Sequence, residues 1–341
     1  LHPRQPAFVP AREAPPCGRL SGPADACIEA GLAYAFAPGD ALWRIDTAPD
    51  GARPALRFMF HHVFMDGEAA LSLIRDLLAY WGEGKAIPLR TLGCLNQKSA
   101  PRQIFRALWQ GMAQERQYRR QATHDTRALP TAESRVIDLS IPADQVRIIQ
   151  KATRQRRTTR NSLLQAALAL AYARGSGGDY ALLRGMAFAN QRPKLRPKPD
   201  PTQLGAGITL IPYLVDPALD LWTLSQSLQQ QAHRTLARGG HFAMNWLSPW
   251  IIGMGLRSAH RMGDVALSFS GAIPSTGTFG AIRMTSIRSY ISSHRKAPPF
   301  SGWAQIDPAG DLHFCFSYHS LPPQKAAAVC EALGLILQEM E

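Results

Sequence analysis

One segment of the chain passes from a strand pattern to a helix pattern across a single short turn. Residues 55–60 form an apolar run of strand-forming side chains, and a Pro-Asp-Gly turn at 49–51 would pair that run with a strand at 41–46. From residue 68 to 81, apolar side chains recur at helical spacing, with Asp66 placed to cap the helix. The segment predicts a strand, a turn and a helix in that order, so the fold must combine both kinds of element.

The rest of the chain continues this alternation. Apolar periodicity predicts further strands at 135–141, 180–189, 207–215, 265–270, 279–291, 301–306 and 312–318. It predicts helices at 103–121, from Pro142 onward, and at 161–174, 221–238, 244–261 and 322–340, whereas residues 1–25 are expected to be irregular. The predicted class is α/β, as an α+β two-layer sandwich. A shift in composition near residue 155 predicts two domains, 1–155 and 156–341.

The composition is that of a folded globular protein. Of 341 residues, 45% are hydrophobic and 18% charged, and no stretch reaches the roughly 18 uninterrupted apolar residues of a membrane span. The net charge of +13 favours an anionic partner, and residues 98–160 hold 14 basic and 5 acidic side chains. That basic stretch has two interpretations: a solvated surface, or a docking patch for an acidic carrier protein or for the phosphates of coenzyme A.

The cysteine content indicates the cellular compartment in which the protein is expected to fold. Five single cysteines without a Cys-x-x-Cys pair favour free thiols in a reducing cytoplasm, and no signal peptide precedes them. We therefore expect a cytoplasmic protein. The first residue is Leu rather than Met, which leaves open whether the first domain is complete.

Several common catalytic and binding signatures are absent from the sequence. It contains no GxxxxGK[ST], GxSxG or HExxH motif, and Gly205-Ala-Gly207 lacks the third glycine of a dinucleotide fingerprint. The basic residues are not interleaved with stacking aromatic residues, and no helix-turn-helix or zinc-finger pattern occurs. Nucleotide hydrolysis, serine-hydrolase chemistry and nucleic-acid binding are therefore not predicted.

The turn between the first strand pair and its helix holds the residues best suited to chemistry. It reads His61-His62-Val-Phe-Met-Asp66-Gly67, a pattern that chance would match roughly once in a thousand for this composition. A neutral imidazole, with an ordinary pKa of about 6.5, can accept a proton from a hydroxyl, thiol or amine. Asp66 could orient a ring or pair with an arginine, and Gly67 permits a close backbone approach.

Two other interpretations of this turn compete with a general base. The histidines could be strand-end residues with satisfied hydrogen bonds. Two histidines and an aspartate could also bind a metal, but neighbouring strand residues point to opposite faces, so His61 and His62 are not expected to chelate one ion.

The heptad HHxxxDG also resembles the signature of the chloramphenicol acetyltransferase-like acyltransferases. This superfamily includes condensation domains of nonribosomal peptide synthetases, polyketide-associated acyltransferases and wax-ester synthases. Other segments resemble the family in the same order along residues 41–341: the strand at 41–45, the helix start at 159–169, the arginine-bearing 188–193 and the stretch 267–271. Ser270 departs from the asparagine that is commoner there. The DFGWG segment of one branch is absent, and residues 300–303, which include Trp303, do not substitute for it convincingly.

The resemblance implies two acetyltransferase-like lobes with a tunnel between them. His62 would be the general base that deprotonates the acceptor, while His61 would support the turn. The oxyanion would be stabilised by the Ser270 hydroxyl or by the Gly67 backbone N–H. Ser270 could equally be a plain strand serine.

The resemblance also implies partners and supporting residues. The donor would be acyl-coenzyme A or an acyl group on the phosphopantetheine arm of a carrier protein, and the acceptor a small-molecule alcohol or amine; no metal or bound cofactor is implied. Asp66 is predicted to pair with Arg192, with Arg44 as the second choice. Arg192 and Trp303 are the candidate substrate-binding residues.

Two alternative functions remain open at this point. Some superfamily members act as docking platforms that recruit another protein, which would make this chain a non-catalytic module. A lipid-handling acyltransferase in peripheral contact with a membrane is the other, because an interfacial helix could be built from a set of apolar and basic residues. These are Trp246, Trp250, Ile251, Ile252, Met254, Arg257 and Arg261, although core packing is the favoured interpretation of that apolar run.

Overall fold

The computed structural model describes residues 17–20, 26–37, 39–48, 55–88, 90–91, 93, 99–130, 133–200, 202–272 and 277–340. Its helices are α1 (Ala26–Leu32), α2 (Gly67–Glu83), α3 (Pro101–Gln121), α4 (Ala143–Gln155), α5 (Arg160–Gly175), α6 (Leu221–Ala237), α7 (Gly240–Arg257) and α8 (Pro323–Gln338). Its strands are β1 (Cys17–Arg19), β2 (Trp43–Ala48), β3 (Ala55–Phe60), β4 (Arg135–Ile141), β5 (Leu183–Asn190), β6 (Ile208–Val215), β7 (Val265–Ala272), β8 (Thr278–Phe279), β9 (Ile282–Arg283), β10 (Phe300–Ile306) and β11 (Leu312–Tyr318). Within these ranges, no helix is both long enough and apolar enough to cross a membrane.

The elements form two compact units. The first unit comprises the described residues of 1–95 together with those of 197–207 and 278–283, and the second comprises the rest. In the first unit, β1 pairs in parallel with β2, and β2 pairs antiparallel with β3 in an unbroken register. This confirms the strand pair predicted from the sequence; its turn at 49–51 lies outside the described residues.

Helix α2 follows the strand pair, as its apolar spacing predicts. Asp66 is its N-cap, and Gly84 ends it in the left-handed conformation, at φ 69°, which glycine adopts without strain. Near that end, Gly82 lies so close to the backbone of Phe279 in β8 that a Cβ atom would collide with it. The apolar face of α2 completes a small core of buried residues, which are Met65, Ala69, Ala70, Leu73 and Leu204.

The second unit is built on one mixed six-stranded sheet. Its strand order is β4-β11-β10-β7-β5-β6, with parallel pairing only at β10–β7 and β7–β5. Helix α5 is buried at every residue from Ser162 to Tyr172 and packs against the sheet and helices α6 and α8. The sequence predicts a buried helix at this place because its polar surface is so small, and the structure confirms it.

The structure differs from the sequence-based expectation in three places. The single strand predicted at 279–291 is wrong. The strands β8 and β9, of two residues each, form a hairpin around Gly280, which has a φ of 55°, and residues 284–299 follow without strand structure. Side-chain hydrogen bonds hold that segment in place, such as the one that the Tyr290 hydroxyl donates to Asp138. Residues 1–25 are not all irregular, because β1 extends the first sheet.

The division of the chain also differs from a single boundary at residue 155. Strand β4 and helix α4 precede that residue but belong to the second unit. The reason is that β4 pairs along its whole length with β11, from Arg135 opposite Tyr318 to Ile141 opposite Leu312. Long-range pairing of this kind leaves no signal in local composition.

Candidate active site

His61 forms the start of the turn that joins β3 to α2. Its backbone N–H donates to the Leu42 carbonyl at 2.8 Å, and its own carbonyl accepts from the Phe64 N–H at 2.9 Å. Its ring nitrogen Nδ1 accepts from the backbone N–H of Val63 at 3.2 Å. Both backbone and ring of His61 are therefore used to shape the turn.

His62 differs from its neighbour in what its ring contacts. The side chain is exposed, and neither ring nitrogen has a hydrogen-bond partner among the described residues. Its ring centroid lies 6.2 Å from that of Phe60, at a tilt of 59°. An imidazole in this state can exchange a proton with a bound molecule without first breaking a bond within the protein.

Asp66 is buried, with 1% of its surface exposed, and each carboxylate oxygen accepts a backbone N–H. Oδ1 accepts from Ala69 at 2.9 Å, which is the N-cap bond of α2, and Oδ2 accepts from Gly207 at 2.7 Å. A backbone bridge between Met65 and Gly205 runs beside these bonds. The predicted cap is thus confirmed, and Asp66 also holds the 205–207 segment against the turn.

The Gly205–Gly207 segment is the part of this site that sequence reasoning missed. From the sequence, its two glycines suggest only an incomplete dinucleotide-binding fingerprint. Gly205 has a φ of 128°, which side-chain-bearing residues rarely adopt. A pair of glycines far along the chain from the heptad was the available signal, but nothing in their spacing pointed to Asp66.

Gly67 is the first residue of α2. Amide N–H groups in the first turn of a helix have no acceptor within the helix and carry the positive end of its dipole. Asp66 satisfies the N–H of Ala69 and leaves that of Gly67 to other partners. The role of Gly67 as a hydrogen-bond donor to an oxyanion stays a prediction.

Ser270 and Trp303 are brought together in the second unit. They lie on the neighbouring strands β7 and β10, and the indole Nε1 of Trp303 donates to the Ser270 hydroxyl at 2.8 Å. That hydroxyl in turn lies 3.4 Å from the Ala304 carbonyl, to which it donates. To stabilise an oxyanion, Ser270 would have to turn its O–H away from Ala304.

Arg192 lies just after strand β5, in a short 3₁₀ turn, and is buried with 6% of its surface exposed. Its backbone N–H donates to the Asn190 side chain at 2.9 Å. A buried guanidinium requires anionic or carbonyl partners. Its predicted pairing with Asp66 would join the two units and stays a prediction, as do the tunnel and the substrate contacts of Arg192 and Trp303.

One cluster of possible metal ligands lies within the described ranges, in the turn between β10 and β11. Asp307, Asp311 and His313 place ligand atoms within 4.8 Å of one another. Each already has a partner: Asp307 accepts from the backbone of Gly310 and Asp311 and lies 3.1 Å from the His313 ring, and Asp311 accepts from the Ala143 N–H. These contacts account for the cluster as a stabilised turn.

Known proteins resemble this chain in structure but not in sequence. No family model and no curated protein matches the chain. TRI3 trichothecene 15-O-acetyltransferase from Fusarium sporotrichioides matches with a TM-score of 0.72 at 13% identity, over 95% of this chain and 76% of that one. Polyketide synthase associated protein 5 from Mycobacterium tuberculosis matches with a TM-score of 0.61 at 15% identity, over 90% of this chain and 78% of that one.

A third match is the first condensation domain of the CDA synthetase, with a TM-score of 0.60 at 14% identity, over 98% of this chain and 79% of that one. Likeness at such identities concerns the fold. The chain has the fold of condensation domains and of the chloramphenicol acetyltransferase-like acyltransferases, as the heptad HHxxxDG predicted.

Proposed function

We propose that the chain is an acyltransferase that moves an acyl group from a thioester to a hydroxyl or amine, with His62 as general base. The observation that carries this proposal is the contrast within the turn. His61 and Asp66 are bound into the protein by their hydrogen bonds to Val63, Ala69 and Gly207, whereas the His62 ring is exposed and has no partner in the described chain.

The proposed step is a nucleophilic substitution at the thioester carbonyl. His62 takes the proton of the acceptor O–H or N–H as the oxygen or nitrogen bonds to the carbonyl carbon. The carbonyl oxygen becomes an oxyanion, and collapse of this intermediate breaks the C–S bond. The imidazolium of His62 then returns the proton to the departing thiolate, so the base is regenerated.

The oxyanion requires a positioned donor. Gly67 is one candidate, since its N–H lies at the positive end of α2, next to the capping carboxylate of Asp66. The Ser270 hydroxyl is the other, and its contact with the Ala304 carbonyl weakens that candidacy. We favour Gly67.

The proposed donor and acceptor are those that the resemblance to the acyltransferases implies. Acyl-coenzyme A and an acyl carrier protein present the same phosphopantetheine thioester, and either would serve. The acceptor is a small alcohol or amine. The reaction needs no redox group, because the only bonds exchanged are C–S, C–O or C–N and those to the proton.

The paired histidines provide the test. Purified His62→Ala and His61→Ala variants are incubated with a panel of acyl-coenzyme A and acyl-carrier donors and candidate acceptors, and products are followed by intact mass. Loss of a positioned base typically costs about 100-fold to 10,000-fold in rate, so His62→Ala should retain almost no transfer while melting like the wild type.

His61→Ala is the matched control, and it should act through stability. It removes the acceptor of the Val63 N–H, which corresponds to roughly 1 kcal/mol of unfolding free energy. If His62→Ala keeps most of the wild-type turnover on a validated substrate, His62 is not the base. If the wild type transfers no acyl group from any donor, a docking module becomes the better interpretation.

A further inference from the structure

Helices α3 and α7 of the second unit have a surface that the proposed reaction does not use. The buried residues between them are Ala107, Ala243 and Leu247. Near the start of both helices, the side chain of Gln103 donates to the Arg238 carbonyl at 3.3 Å. Just beyond the ends of both, a backbone bridge joins Arg127 to His260. The two helices therefore run side by side in the same direction.

Each of these helices exposes a stripe of large apolar side chains. On α3 the stripe has the spacing i, i+4, i+7 and consists of Phe105, Trp109 and Met112, which are 71%, 62% and 62% exposed. On α7 the spacing is i, i+4, i+8, and the residues are Trp246, Trp250 and Met254, at 54%, 54% and 45%. Burial of side chains this large is ordinarily a main source of stability, so six exposed together indicate a surface that meets an apolar partner.

Helical geometry places both stripes on one side of the pair. At 3.6 residues per turn, the α3 stripe lies about a quarter turn clockwise from the face that packs on α7, viewed from the N-terminal end. The α7 stripe lies about a quarter turn anticlockwise from the face that packs on α3. Because the helices run in the same direction, these opposite rotations bring both stripes to the same side. We call this side the α3–α7 face.

A basic cavity lies at the N-terminal end of the α3–α7 face. It has a volume of about 590 Å³, and the residues that line it include Arg102, Arg106 and Arg238. None of these three arginines forms an ion pair with a described residue. Helix α7 also begins here, with Gly239 as an N-cap that has no side chain to accept from the first turn, so the N-terminal end of its dipole adds positive potential.

A buried histidine in the same lining points independently to a ligand. His241 is only 3% exposed, yet neither of its ring nitrogens has a hydrogen-bond partner in the described chain. Burial first, and then the charge of Lys194, lower the pKa of His241, while the Thr235 carbonyl lies near enough to the ring to oppose them without reaching hydrogen-bonding geometry. A neutral imidazole keeps one N–H, which an anionic oxygen in the cavity could accept.

We propose that the α3–α7 face binds an anionic phospholipid surface, with a headgroup phosphate in the arginine cavity and the six apolar side chains at the depth of the headgroups. Charge complementarity supports a lipid partner: α3 has five exposed arginines but a single acidic residue, Glu115, which is already paired with Arg119 and Arg184. Tryptophan beside arginine on one helix face is the composition of interfacial helices.

Vesicle co-sedimentation of the full chain tests this proposal. The wild type should bind phosphatidylcholine vesicles that contain about one-third phosphatidylglycerol, bind pure phosphatidylcholine weakly, and be released by high salt. The triple variant Arg102→Glu/Arg106→Glu/Arg238→Glu should partition at least about 100-fold less, since each arginine near an anionic surface contributes about fivefold and each new glutamate is repelled by it.

The matched control reverses three exposed cations on α4 and changes the net charge equally. Arg147→Glu/Lys151→Glu/Arg154→Glu should bind the anionic vesicles within a few fold of the wild type. Equal losses in both triple variants would mean that only net charge matters, which overturns the proposal. Wild-type protein that ignores anionic vesicles overturns it as well.

Tryptophan fluorescence tests the apolar part of the face. Brominated phosphatidylglycerol should quench the wild type, and most of the quenching should disappear in Trp109→Phe/Trp246→Phe/Trp250→Phe, which keeps aromatic side chains at all three positions. Unchanged quenching would place the contact elsewhere.

A soluble ligand is separated from a lipid by titration with free coenzyme A and with inorganic phosphate. The lipid proposal fails if the wild type binds coenzyme A but no vesicles, and if the triple arginine variant no longer binds coenzyme A. The cavity would then belong to a soluble phosphate ligand. None of these readouts uses acyl transfer, so their failure leaves the proposed function untouched.

Discussion

The two units of this protein contain the same kind of buried ionic cluster in very different surroundings. The second unit has a continuous apolar core between its six-stranded sheet and helices α5 and α8. The first has a three-stranded sheet, the short β8–β9 hairpin and, among its described residues, a core cluster of only five buried side chains. A small core supplies little free energy of folding. We infer that polar contacts account for a larger share of the stability of the first unit.

In the first unit, the ionic cluster surrounds Asp46, which is fully buried. Arg44 contacts one of its carboxylate oxygens at 2.6 Å and Arg57 the other at 2.8 Å. Arg57 also donates to the Cys27 carbonyl at 2.6 Å, which ties α1 to the sheet. The arginine side chains are 22% and 21% exposed, so water still reaches both cations.

In the second unit, the cluster surrounds Asp264, which is also fully buried. Its Oδ1 accepts from His124 at 2.9 Å and from Arg261 at 2.7 Å, and its Oδ2 accepts from Tyr118 and from the Arg184 backbone, both at 2.8 Å. The Arg261 side chain is only 5% exposed. We therefore expect a buried aspartate–arginine pair to matter more for stability where water is excluded from the arginine, as it is around Arg261.

The largest effect is therefore expected from Asp264→Asn. This substitution leaves Arg261 buried without its counter-ion, and breaking one side of a buried pair costs about 3–5 kcal/mol of unfolding free energy. Urea denaturation measures the loss. Asp144→Asn, at an exposed position on α4, is the control and should change stability by less than about 0.5 kcal/mol.

Acid denaturation provides a second test of the role of Asp264. Burial alone would raise the pKa of Asp264, but the hydrogen bond from His124 and the charge of Arg261 outweigh it and lower the pKa below its ordinary value of 3.8. The stability from this group is thus present above the unfolded-state pKa and is lost as the pH falls through the folded-state pKa. The wild type should lose stability below about pH 4 more steeply than Asp264→Asn; parallel curves would contradict the assignment.

An intermediate effect is expected from Asp66→Ala in the first unit. The change removes the N-cap of α2 and leaves the N–H groups of Ala69 and Gly207 without their acceptor, which together cost about 2–4 kcal/mol. Urea denaturation again provides the measurement. Asp66→Asn keeps one carbonyl oxygen for one of the two donors and should fall between the wild type and Asp66→Ala.

The smallest of these effects is expected from Asp46→Asn. Both partner arginines can turn toward water when the carboxylate is removed, so the loss should be about 1–2 kcal/mol, clearly below that of Asp264→Asn. Thermal melting of the two variants side by side makes the comparison. A loss at Asp46 as large as that at Asp264 would show that exposure of the partner cation does not decide the cost.

Local patterns explain why most elements could be predicted. The bounds of β4 are those expected, and α2, α5 and α8 begin and end within two residues of the prediction, because the periodicity of a buried face and the capping residues are properties of neighbouring side chains. The strand expected at 279–291 was wrong because local apolar periodicity does not report contacts with distant residues. Its apolar residues fit a strand locally, but a left-handed Gly280 divides it and contacts from Asp138 hold the remainder.

The mixed fold class, the strand, turn and helix around the heptad, the Asp66 cap and the candidacy of His61 and His62 can all be read from the sequence. The pairing of β4 with β11, the bond from Gly207 to Asp66 and the bond from Trp303 to Ser270 became visible only in the folded structure. The two groups differ in the range over which the interactions act. Capping and periodicity act over a few residues, whereas these contacts join residues that are distant along the chain, and their partners are selected by packing and by the need to satisfy buried polar groups.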